Sequence, residues 1–138
     1  MPGSFQITSF SPVEEAREGQ MTSLADGAAI NTGDDDYVGI QIQDDDTGKS
    51  LQGGVSTVPI PSGAGFSWTS AKDVLMPNKD LNCTCYVGYY VPAQETIYAT
   101  DQRKFTIRKI AGGIGGIPTW LLAAIGLGAV AAVLLIKK

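Results

Sequence analysis

LNCTCYVGYYV, residues 81–91, is the stretch that decides the fold. Leu81, Cys83, Cys85, Val87, Tyr89 and Val91 occupy alternate positions, and Asn82, Thr84, Tyr86, Gly88 and Tyr90 fill the others. A period of two puts the first set on one face of a strand and the second on the other, whereas a helix would repeat at three and four. The same alternation recurs at 37–43, where Val38, Ile40 and Ile42 point one way and Tyr37, Gly39, Gln41 and Gln43 the other. Each strand therefore has one core face and one wet face.

Outward from these two strands the chain stays β-like. Phe5, Ile7 and Ser9 share one face of a first strand that ends at Ser11-Pro12, where proline forbids continued pairing. Residues 13–19 read as a connector. Residues 21–30 read as a second strand, weakened or bulged around Asp26-Gly27 and closed by the turn Asn31-Thr32-Gly33. After an acidic turn at 44–48 come strands over 51–58 and 65–70, the latter with Phe66 and Trp68 on one face, and Phe105 and Ile107 define the last. Short strands separated by turn signals every ~8–12 residues are the pattern of a mainly β, immunoglobulin-like two-sheet antiparallel sandwich, here over 1–110.

Several turn signatures carry a resemblance. EGQ at 18–20, INTG at 30–33, VGIQIQDDDTGKSL at 38–51, VPIPSGAGFSWTSAKDVLMPNKDLNCTCYVG at 58–88 and RKFTIRKI at 103–110 together resemble the CARDB-type immunoglobulin-like modules across residues 4–110. In that family an N-x-G turn follows the second strand, a proline-glycine turn precedes an aromatic strand, and an MP-x-x-D-L turn leads into the next. Leu24-Ala-Asp-Gly-Ala28 departs from the family, which carries a longer apolar strand there. The resemblance implies a sandwich without an active site, of the kind found on surface proteins and on virion proteins of bacterial and archaeal viruses.

Composition narrows the chemistry. The 138 residues suit one small domain and an appendage. Charged residues are 17% and apolar ones 43% of the chain, so disorder throughout is excluded. With no His and only two Cys, His-based catalysis, His/Cys zinc sites and Cys–His nucleophile pairs are all ruled out, and no cofactor and no enzymatic activity are expected. Net charge is −4, and setting aside Lys137 and Lys138 leaves 8 basic against 14 acidic residues, the wrong sign for a nucleic-acid partner.

The C-terminus has a different character. Residues 117–136, IPTWLLAAIGLGAVAAVLLI, carry no charge, and at ~1.5 Å per residue a helix of that length spans about 30 Å of hydrocarbon. A single transmembrane α-helix with a basic tip is expected over 117–138. Its membrane-embedded side chains are Ile117, Leu121, Leu122, Ile125, Leu127, Val130, Val133, Leu134, Leu135 and Ile136, with Trp120 at interface depth. Ala124, Gly128 and Ala132 form a small-residue stripe that serves either close helix packing in a homo-oligomer or contact with lipid. The AGGIGG run at 111–116 reads as a flexible hinge. Arg103, Lys104, Arg108 and Lys109 precede the apolar run and two lysines follow it, which favours a cytoplasmic domain and attraction to anionic headgroups. The N-terminal MPGSFQITSF has no basic or apolar region of a secretory signal.

Three groups are candidate sites. Cys83 and Cys85 share a strand face, either as small buried hydrophobes or in a bridge between chains or a bond across an irregular turn. Asp34, Asp36, Asp44 and Asp46 are weak candidates for calcium, against a reading as solvated turn residues. The two acidic clusters flank one strand, so they cannot share an ion. Tyr37, Tyr86 and Tyr90 fall on the face opposite the cysteines, as a contact surface or as cross-strand packing.

Taken together, the sequence suggests a structural protein of a membrane-containing virus. Its helix would lie in the internal membrane and its sandwich would face the capsid shell, binding capsid subunits near vertices. The alternative is a cell-surface adhesin or envelope-interaction module of a bacterium or archaeon, which requires export.

Overall fold

The structure, a computed structural model, describes residues 2–110. The expected hinge at 111–116 and the expected membrane helix at 117–138, with Trp120 and the Ala124, Gly128 and Ala132 stripe, lie outside the described residues. Among the described residues there is no helix, and hence no helix long and apolar enough to cross a membrane.

In chain order the strands are β1 (Phe5–Pro12), β2 (Glu15–Arg17), β3 (Met21–Thr22), β4 (Ala25–Asn31), β5 (Val38–Asp44), β6 (Ser50–Val55), β7 (Gly65–Trp68), β8 (Val74–Leu75), β9 (Leu81–Val91) and β10 (Thr96–Ile110). They form a three-stranded sheet in the order β1-β4-β7, a five-stranded sheet in the order β2-β10-β9-β5-β6, and a two-stranded ribbon β3-β8. All ladders are antiparallel except β2 with β10, which is parallel. One core joins the two larger sheets: Phe5, Ile7, Ala25 and Ala29 meet Val38, Ile42, Cys83, Cys85, Val87, Phe105 and Ile107.

The inner faces read at 81–91 and 37–43 are realised, with Cys83, Cys85 and Val87 at most 1% exposed, but the opposite faces are not wet throughout: Thr84, Gly88 and Gly39 are buried there too. The first strand holds a correction. Ile7 pairs with Ala29 but Ser9 with Ala28, so Thr8 is an extra residue. Such a bulge reverses the inward phase. Ser9 is therefore exposed, and Phe10 turns in to meet Phe105 edge-to-face at 5.5 Å. Pro12 ends this strand on an outer strand of its sheet, where a missing N–H is tolerated.

The stretch 21–30 is two elements. Met21 and Thr22 pair with Leu75 and Val74, and the chain then turns through Ser23 and Leu24 into β4. The Leu24 amide is held there by Ser70 Oγ at 2.7 Å. The connector at 13–19 contains β2, and the last strand spans 15 residues rather than a few around Phe105.

Glycine is required where β10 crosses β9. A Cβ on Gly88 would lie 1.9 Å from the Tyr98 carbonyl oxygen, so no side chain fits. Its ladder partner Gly39 leaves room for Ile97, which reaches across the outer face; a Cβ on Gly39 would lie 2.5 Å from Ile97 Cγ1.

The two ends of the fold differ. Ile110 pairs with Arg17, and Gly19 and Gln20 hydrogen-bond Met76, so β10 exits beside the β3-β8 ribbon. The Asp44–Gly48 turn lies at this exit end, because Asp44 pairs with Cys83 and Leu81 with Ile107. The N-terminal residues, the 32–37 loop and the β9–β10 turn lie at the opposite, distal end.

Candidate functional site

The chain that connects β6 to β7 contains Pro59 and Pro61, which lack amide hydrogens, and it makes one isolated bridge, Asp36 with Ile60, instead of a strand. As a result no strand bridges the two larger sheets on this side. A groove of about 500 Å³ runs between the β6 edge of one sheet and the β7 edge of the other.

Its walls are core-type side chains left half covered. Ile40 of β5 and Phe66 and Trp68 of β7 are partly buried, beside buried Val38 and Ile42. The rings are held in place: Phe66 packs edge-to-face on Phe5 at 5.9 Å, and Trp68 Nε1 donates to the Ala25 carbonyl at 3.1 Å. A polar network closes the exit end. Gln52 Nε2 donates to Asp73 Oδ1 at 2.6 Å and to the Ala71 carbonyl at 2.7 Å, while Ser70 Oγ donates to Gln52 Oε1 at 2.6 Å. The Ser70 amide in turn donates to Asp26 Oδ1 at 2.8 Å. Among the described residues, Asp73 is the one charged lining residue, and neither it nor Asp26 is in an ion pair.

The free edges of the two sheets are treated differently. The outer side of β1 is occupied by side chains of β10. Ala99 pairs with Gly88 but Asp101 with Val87, so Thr100 is an extra residue. Thr100 Oγ1 accepts from the Phe5 amide at 2.9 Å and donates to the Phe5 carbonyl at 2.7 Å. Asp101 Oδ2 accepts from the Ile7 amide, and Arg103 donates to the Ile7 carbonyl. Strand β6, SLQGGV, has no Pro and no charge, among the described residues it has no such cover, and a Cβ on Gly54 would meet nothing within 4 Å. Natural sheets usually blunt exposed edges with Lys, Pro or bulges, so a bare one is a ready template for pairing.

Sequence reasoning did not find this groove, although it put Phe66 and Trp68 on one shared face and Ile40 on a core face. The usable signal was the pair of prolines between two strand-like runs.

The residues singled out from sequence fall elsewhere. Cys83 and Cys85 are free thiols in the core, each pushed up to about 12; burial is the main cause, with the carboxylates of Asp44, Asp45 and Asp46 adding to it for Cys83. The acidic clusters lie at opposite ends of β5, as expected, and serve the turns. Asp36 Oδ2 accepts from the Gly3 amide and Asp35 Oδ1 from the Ser62 amide. Asp44 accepts from the Asp46 amide and Thr47 Oγ1. Asp46 pairs with Lys79 at 2.9 Å, and that hydrogen bond and charge hold its carboxyl below the usual range. Among the described residues no group of three or more His, Cys, Asp or Glu is arranged to hold a metal ion.

Tyr37, Tyr86 and Tyr90 are all half-buried on the outer face. The Tyr90 amide bonds the Tyr37 carbonyl, which makes those two cross-strand neighbours, and Tyr86 lies between Gln41 and Gln102. The tyrosine exposed beyond 40% is Tyr98, stacked on Tyr89 at 5.1 Å. The basic residues are spread along β10 and engaged: Arg103 with Asp101, Lys104 with Asp45, Arg108 with Glu15, and Lys109 Nζ with Asn78 Oδ1.

Comparisons with protein-family models, curated proteins and solved structures find no match to this chain.

Proposed function

We propose that this chain is a non-enzymatic structural module: an immunoglobulin-like sandwich with CARDB-like turns, anchored by residues 117–138 in the internal membrane of a membrane-containing virus and bound to the capsid shell. The observation that carries this reading is the separation of the two ends. Strand β10 hands the chain on at Ile110 beside the β3-β8 ribbon, directly before the apolar segment, while the N-terminal residues and the β9–β10 turn lie at the far end. The groove between β6 and β7 adds a surface suited to a protein partner and has no constellation for catalysis. The strand order, with β1 in one sheet and β2 running parallel to β10 in the other, supports the immunoglobulin-like description.

Fractionation of purified particles tests the tether. The chain should follow lipid on flotation and should crosslink to a shell subunit in intact particles. Recovery in the soluble shell fraction after detergent-free disruption overturns the reading. Protease cleavage of the domain from outside intact producing cells overturns it in favour of an adhesin.

A further inference from the structure

We infer that the groove between β6 and β7 accepts an extended peptide segment of a partner protein, which pairs with the β6 edge, buries alternate apolar side chains against Ile40, Phe66 and Trp68, and carries a Lys or Arg at the exit end. This deepens the tether reading by naming the chemistry of the shell partner, and it rests on that reading only for where the segment comes from.

Shape selects a strand. The groove lies between the outermost strands of two sheets, and at about 500 Å³ it has room for a few apolar side chains. Pairing with β6 supplies main-chain hydrogen bonds, and a strand's period of two aims every second side chain into the cleft. The chain's own connection does not supply that strand, because Pro59 and Pro61 interrupt residues 56–64.

The edge selects β6. Thr100, Asp101 and Arg103 already occupy the outer side of β1. Gly53 and Gly54 of β6 are exposed, and Val55 beside them is 46% exposed.

Charge selects the end. Asp73 and Asp26 flank the Gln52–Ser70 network; among the described residues their carboxylates form no ion pair and no cation lines the groove. A cationic residue arriving there gains a charge-assisted hydrogen bond, whereas a carboxylate meets two like charges.

The test uses the full chain in detergent micelles with Trp120→Phe, so that Trp68 alone reports. The probe is a peptide of about eight residues alternating Val and Thr and ending in Lys, beside its Glu-ended twin. The expected result is a saturable change in Trp68 emission with the Lys-ended peptide and binding at least about ten-fold weaker for the Glu-ended one. Asp73→Asn should erase most of that discrimination, and Val55→Lys should weaken both peptides by placing charge on the edge. Far-UV circular dichroism establishes that each variant is folded. Equal binding of both peptides, no binding, or a Trp68 response to oleate without one to peptide overturns the inference. None of these outcomes bears on lipid flotation, so the tether reading stands or falls separately.

Discussion

The Asp101 carboxylate of β10 accepts a hydrogen bond from the Ile7 amide of β1 at 2.9 Å, joining two sheets that share no strand. With Thr100 bonded to both backbone groups of Phe5, it converts the outer side of β1 from an open edge into a sealed one. The β-bulge makes this geometry: the extra residue lets consecutive side chains, Thr100 and Asp101, address the same neighbour.

Removing that carboxylate should be costly and acid-sensitive. Burial raises the Asp101 carboxyl, but the Ile7 and Gln102 amides and Arg103 together outweigh burial and hold it below the ordinary value. A folded-state value below the unfolded one contributes stability that is present above the unfolded carboxyl range and lost as pH falls through the lowered folded value. Asp101→Asn should lose about 1–3 kcal/mol at neutral pH. In urea unfolding, the gap between wild type and variant should narrow steadily as pH is lowered below about 4.

The thiols give the opposite pH limb. With both Cys83 and Cys85 at about 12 in the fold, the unfolded chain ionises first as pH rises from about 9, and the folded state then binds more protons. Their stabilising contribution is complete below that pH and is lost as pH climbs toward the folded value. The Tm should therefore fall between about pH 9 and 11 in wild type and less so in Cys83→Ala/Cys85→Ala measured against its own neutral value. Under native conditions near neutral pH, iodoacetamide should label neither thiol, and both should label in urea.

Gly88 and Gly39 should respond differently to alanine. The new methyl at 88 would strike the Tyr98 backbone, which cannot move without breaking the ladder, so Gly88→Ala should cost about 3 kcal/mol or more. At 39 the obstruction is the Ile97 side chain, and Gly39→Ala should cost about 1–2 kcal/mol, much of it recovered in the Gly39→Ala/Ile97→Ala double variant. A double-mutant cycle in denaturant unfolding measures both.

Asn31 is fully buried and makes four side-chain hydrogen bonds: Oδ1 accepts from the Ser4 and Gly33 amides, and Nδ2 donates to the Asp34 and Ile60 carbonyls. Asn31→Ala strands several buried polar groups and should cost about 3 kcal/mol or more. Asn31→Asp keeps the shape but turns two donors into acceptors facing carbonyls, and should be no more stable than the alanine variant at pH 7.

Legibility followed locality. Strands β5 and β9 lie inside their sheet, and their apolar residues recur at every second position, so the period of the sequence outlines them. Strand β10 was mostly missed because Thr100 breaks its phase and residues 99–104, Ala-Thr-Asp-Gln-Arg-Lys, are polar on both faces. The β3-β8 ribbon has only two residues per strand, too few for any period to register. The Asp and Tyr candidates were chosen by residue type; the structure gives Asp36 and Asp44 backbone amides to accept from and pairs Asp46 with Lys79. The groove arises from a strand that is not there, between β6 and β7, and such a gap appears only once two distant edges face each other.

The parallel pairing of Glu15–Arg17 with the last residues of β10 has a mechanical consequence. A pull on Ile110 along the strand axis loads the ladders to β2 and β9 in shear, many bonds at once, rather than unzipping them one by one. Tension applied at the end of β10 is thus spread over both ladders, and the fold resists being drawn out from its C-terminal strand.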